Sequence, residues 1–159
     1  MHPIAAGPIV ENAVTEVLRV QFGLDAEPVS KPSPVIEGYA SHLAGTVHIT
    51  GSRVQGNLSL AMPDALANKL VALMVGGSED DDIAAEDKAD VAGEICNMLA
   101  GQIGQALSKG GYSNDLSVPE VQQGSGDWNT TLLDNPEYKG VWHCAGLPLV
   151  LNLALRLEP

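Results

Sequence analysis

Glu94 and Asn97 stand three positions apart and carry the most pointed chemistry in this sequence. On a helix that spacing makes their side chains neighbours on one face. A carboxylate there can hold a cation or accept a proton. The carboxamide beside it offers an acceptor oxygen and two donor hydrogens, so it can orient a water without taking its proton. The chain contains no other Glu-x-x-Asn. At 100° per residue, Asp90, Glu94, Asn97, Gly101, Gly104 and Ser108 share one stripe of a long helix, and Val91, Ile95, Met98, Leu99 and Ala106 form the opposite, core-facing stripe. The polar stripe is unusual in composition. A glycine inside a helix costs about 1 kcal/mol relative to alanine, and a mid-helix asparagine competes for backbone groups. A merely solvated stripe would carry Lys, Glu, Gln or Ala. Small polar residues suit a surface that another backbone approaches, either a partner's or this chain's own strand or helix.

The elements around that helix follow from periodicity and punctuation. Apolar residues recur at helical spacing over about 8–22, and Gly23 stops them. Pro28, Pro32 and Pro34 mark an extended connector. Tyr39–Leu43 and Thr46–Thr50 read as short strands. From Val54 to Met62 every second residue is apolar or glycine, as in a strand with one buried face. Pro63 is expected in the first turn of a helix that runs to about Val75 and ends at Gly76-Gly77. After the acidic stretch Ser78–Asp82, the long helix spans about 85–109 and ends at Gly110-Gly111. Ser117–Gln122 reads as extended and Gly124–Asn129 as a loop. Tyr138–Cys144 and Leu147–Leu157 read as strands joined by a turn at Ala145-Gly146. The fold class expected is α+β: a mainly antiparallel sheet with long helices packed on one face, in a single domain over 1–159.

Composition narrows the function classes. A net charge of −12 repels phosphate backbones and anionic lipids, so neither nucleic acid nor membrane is an expected partner, and an exposed Lys or Arg on a protein is. No apolar stretch is long enough to span a bilayer, and no basic-then-apolar leader opens the sequence, so a cytoplasmic location is expected. Cys96 and Cys144 lie apart, outside any Cys-x-x-Cys or Cys/His cluster, and read as reduced, buried thiols. No nucleophile elbow or phosphate-binding glycine loop is present. His42, His48 and His143 are scattered on strand-like segments.

The segment Asp90-Val-Ala-Gly-Glu94-Ile-Cys-Asn97 resembles the signature helix of the CheC/CheX/FliY family of chemotaxis phosphatases. The family pattern places Asp or Ser, then Glu, then Asn, and a Pro further on. Asp90, Glu94, Asn97 and Pro119 fill those places. Gly56–Pro63, Met74–Gly77 and Leu116–Gly124 resemble the flanking strand, helix end and following strand. The CheX-like members fit best. CheC-type members carry two signature helices, whereas the first helix here has Glu11 beside Asn12 and no second motif.

The resemblance implies a phosphatase acting on the aspartyl phosphate of a CheY-like response regulator. Asn97 would position the attacking water, and Glu94 would anchor the lysine beside the partner's phosphate. Asp90, Gly101 and Gly104 would belong to the partner-binding face. No cofactor of its own is implied, and Mg²⁺ is expected in the partner's site. A homodimer joined edge to edge is also implied, for which the Leu147–Leu157 strand is a candidate, although core is the stronger reading of its leucine face. The alternative is a non-catalytic module on the same fold that binds the regulator or a motor component.

Overall fold

In the computed structural model, the structure describes residues 4–29, 35–36, 38–77, 83–126, 128–129 and 137–159. The chain runs α1 (Ala6–Phe22), β1 (Ala26–Pro28), β2 (Val35–Ile36), β3 (Ser41–Thr50), β4 (Val54–Pro63), α2 (Asp64–Val75) and α3 (Ala85–Lys109). Then follow β5 (Asp115–Leu116), β6 (Glu120–Ser125), β7 (Trp128–Asn129), β8 (Tyr138–Cys144) and β9 (Leu147–Leu157). The antiparallel main sheet has the order β1-β8-β9-β4-β3, and both β5 and β6 pair with the far side of β3. A separate two-stranded sheet joins β2 to β7. The acidic stretch Ser78–Asp82 lies outside the described residues.

One face of the sheet carries the core. Val47 and Ile49 of β3, Leu58, Leu60 and Met62 of β4, and Leu149, Leu151 and Leu153 of β9 pack against buried residues of all three helices. Glycines punctuate the helices as expected. Gly23 caps α1 and Gly76 caps α2 with left-handed backbone, where a missing Cβ removes the steric cost. Ala145 and Gly146 both have positive φ, which gives the β8–β9 hairpin the turn twist that matches its strands.

Several expectations need correction. The two short strands at 39–50 are one ten-residue strand, β3. Gly45, between the two expected strands, sits in the ladder opposite Leu60. A methyl there would lie 3.5 Å from Cys96 Sγ, an ordinary contact distance, so α3 rests on the strand here. Pro63 ends β4 and is the N-cap of α2, with extended backbone, so its first-turn place passes to Asp64. Ser59 and Ala61, expected on the solvent side of β4, are buried. Ala61 joins Val141 and Val150 in a small apolar cluster on the opposite sheet face, against which Tyr39 packs. Gly124 and Ser125 extend β6 and residues 128–129 form β7, in place of the expected loop. Finally, β9 pairs with β4 on one side and β8 on the other. Its β8 side is occupied over Leu147–Leu153, which leaves only Ala154–Leu157 without a paired neighbour there among the described residues, and its leucines lie in or against the core. Among the described residues, the outer strands of the main sheet are β1 on one side and β5 and β6 on the other.

Candidate functional site

The site is built on α3, whose bounds coincide with those expected. No side chain caps its start, but Glu86 and Asp87 in the first turn and Lys109 in the last match the helix dipole. Lys88 Nζ lies 3.0 Å from Asp64 Oδ2, with both side chains largely buried, and this pair ties the first turn of α3 to the start of α2. Val91, Ile95, Leu99, Ile103 and Leu107 are buried, together with Ala92, Cys96 and Ala100, in the core that the sheet and the other two helices share. Met98 and Ala106, expected in the core stripe, are only partly buried. A helix held on one side by so much apolar surface presents its other side rigidly.

That other side carries Asp90, Glu94 and Asn97, all exposed. No hydrogen bond or ion pair engages their side chains among the described residues. Gly101 continues the stripe, partly exposed, and a methyl there would meet no atom within 4 Å. Gly104 does not continue it as a free surface. It is buried, and a methyl there would approach Asn114 Oδ1 to 2.8 Å. Asn114 Nδ2 lies 2.9 Å from the Gly104 carbonyl, 2.9 Å from the Tyr112 carbonyl and 3.2 Å from Ser108 Oγ, and shares its two hydrogens among these acceptors. The expectation that Gly104 serves a partner is therefore corrected by its packing. Its missing side chain makes room for the segment that leads into β5.

Two depressions meet at Asp90 and Glu94. The smaller, of about 340 Å³, lies between α3 and β6, and its lining includes Asp90, Gly93, Glu94, Asn97, Pro119 and Val121. A methyl on Gly93 would sit 3.4 Å from Val121 Cγ2, so helix and strand are close here. Pro119 thus shares a concavity with Asn97. Its loop is pinned. Ser117 N donates to the His48 carbonyl at 2.9 Å, and His48 N donates to Ser117 Oγ at 2.9 Å, where Pro119 interrupts the ladder. On the other side, a groove of about 550 Å³ opens between α3 and the C-terminal ends of α1 and α2, and Asp90 and Glu94 line it too. Sequence reasoning missed this groove. The available signal was the run Leu73-Met74-Val75, which carries apolar residues to the exposed end of α2.

The remaining reactive groups are elsewhere. Burial pushes both the Cys96 and the Cys144 thiol up to about 12, so neither is a nucleophile at neutral pH. Among the described residues, no three His, Cys, Asp or Glu side chains are grouped to hold a metal ion. No helix of the described residues is long and apolar enough to cross a membrane. Chemically, the exposed stripe can present a carboxylate and a carboxamide to a partner's surface without first breaking internal bonds.

The family described as "Chemotaxis phosphatase CheX" matches residues 43–134, which include the whole of α3. The CheY-P phosphatase CheX of Thermotoga maritima is 31% identical over 114 residues, covering 71% of this chain and 72% of that protein. The solved structure of chemotaxis protein CheX from Vibrio vulnificus superposes with a TM-score of 0.77 at 18% identity, covering 97% of each chain. A chain of the CheX-CheY-BeF3-Mg²⁺ complex from Borrelia burgdorferi has a TM-score of 0.71 at 20% identity, covering 97% of this chain and 99% of that one.

Proposed function

The chain belongs to the CheX family of chemotaxis phosphatases, and from that membership we propose that it hydrolyses the aspartyl phosphate of a CheY-like response regulator, with Asn97 and Glu94 as the residues that act. The observation that carries the residue assignment is their placement: adjacent and exposed, on a helix whose opposite face is buried.

An aspartyl phosphate is an acyl phosphate, so its leaving carboxylate needs little help. What hydrolysis lacks in the isolated regulator is a water held in line with the breaking P–O bond. The Asn97 carboxamide accepts a hydrogen bond from that water through its oxygen and fixes its lone pair towards phosphorus. The water oxygen bonds to phosphorus, the bond from phosphorus to the aspartyl oxygen breaks, and inorganic phosphate and a free carboxylate result. Glu94 pairs with the lysine that the receiver carries beside its phosphate, which seats Asn97 over the acyl phosphate. Mg²⁺ belongs to the partner's acidic pocket, where it offsets phosphoryl charge. Asp90 and Gly101 lie along the same approach. The proposed reaction is a cytoplasmic one, carried out where such a regulator acts.

The test is phosphate release from a receiver domain of the same organism, phosphorylated with a small phosphodonor and Mg²⁺, with and without this protein. Acceleration is expected, and Glu94→Gln should raise the half-saturating receiver concentration about tenfold, the order of one charge-assisted contact. Binding without acceleration would leave only the non-catalytic module.

A further inference from the structure

The groove between α1, α2 and α3 has a composition that hydrolysis does not require. Phe22, Val71, Met74, Val91 and Met98 give it an apolar floor and walls. Its outer lip is exposed: Met74 is 55% and Val75 74% accessible. Methionine adapts its shape to an incoming side chain. Along the α3 wall stand three carboxylates, Asp87, Asp90 and Glu94.

We propose that this groove receives an apolar side chain of the response regulator, carried on a segment with lysine or arginine next to it. The inference rests on the reading above and adds a second contact to it. Continuity argues for that occupant. Asp90 and Glu94 line both the groove and the depression that holds Asn97, so a partner seated over Asn97 also covers the groove. Charge argues for its chemistry. An apolar floor under an acidic wall, in a chain of net charge −12, favours an apolar group flanked by cations. The same charge disfavours an anionic bilayer, and a second copy would set one acidic wall against another. The groove sets affinity and orientation, while Asn97 sets the rate.

Met74→Asp and Val75→Asp place a charge on exposed positions at the groove's lip, so the fold should persist, which circular dichroism checks. Binding is measured by calorimetry against the receiver loaded with beryllofluoride and Mg²⁺, which stands in for the acyl phosphate. Each variant should weaken binding about tenfold, the order of one well-placed apolar anchor. The half-saturating receiver concentration for phosphate release should rise equally, with the maximal rate within about twofold of wild type. Met74→Leu should bind as wild type does. Unchanged affinity in both aspartate variants overturns the inference and leaves the phosphatase reading intact. Weakened binding in a protein that never accelerates hydrolysis supports the groove and removes the phosphatase reading. A wild-type protein that binds no receiver removes both. A variant that instead converts a dimer into monomers assigns the groove to self-association and overturns the proposal.

Discussion

Replacing Gly101 should make the domain more stable and less able to bind its regulator, whereas the same replacement at Gly104 should destabilise it. Both glycines lie inside α3, where alanine gains about 1 kcal/mol of helix propensity. At Gly101 nothing opposes that gain, since the added methyl meets no atom within 4 Å. About 1 kcal/mol corresponds to a rise of about 2–4 °C in Tm for a domain of this size. At Gly104 the methyl would press on Asn114 Oδ1 from 2.8 Å. Moving that amide disturbs its bonds to Gly104, Ser108 and Tyr112. Its two hydrogens make bonds worth about 0.5–1.5 kcal/mol each, about 1–3 kcal/mol together, so after the propensity gain the net loss is up to about 2 kcal/mol. Thermal unfolding followed by circular dichroism should therefore order the proteins Gly101→Ala, wild type, Gly104→Ala from most to least stable. Gly101→Leu should keep most of the gain but raise the Kd for a beryllofluoride-loaded receiver about tenfold, because its side chain fills space reserved for the partner. Gly104→Ala melting with Gly101→Ala would refute the packing account of Gly104. Undiminished binding by Gly101→Leu would remove Gly101 from the interface.

Three further outcomes are expected. Lys88→Ala breaks the 3.0 Å pair with Asp64 and should cost about 1 kcal/mol, seen as a Tm lower by about 2–4 °C. Because burial holds both thiols near 12, Cys96 and Cys144 should not react with Ellman's reagent at pH 8 in the native protein, and both should react in guanidinium. Glu94→Ala should leave Tm within about 1 °C of wild type, since no partner within the described residues is lost, while receiver binding weakens.

The bounds of α1 and α3 were readable because glycines end them and because apolar spacing is a local signal. The stripe through Glu94 and Asn97 followed from the same geometry. What failed depended on neighbours in space. The two strands expected on either side of Gly45 are one, because β4 pairs with β3 without interruption across it. The period-two leucines of β9 identify a buried face but not which strands lie alongside, so they do not show that β4 and β8 flank it. A helical wheel puts Gly104 in line with Asn97. It cannot show that Asn114, ten residues on, folds back to cover one and not the other. The groove needs α3 to meet the ends of α1 and α2, and the apolar run at the end of α2 announces one wall without the other two.

The most direct test of the account is the maximal rate of phosphate release from a phosphorylated receiver at saturating protein, for wild type and Asn97→Ala. Losing one positioning group should slow the step about 10²-fold. Tm should be unchanged or about 1–2 °C higher, because an exposed mid-helix asparagine gives way to alanine. An Asn97→Ala protein that keeps the wild-type maximal rate would contradict the account.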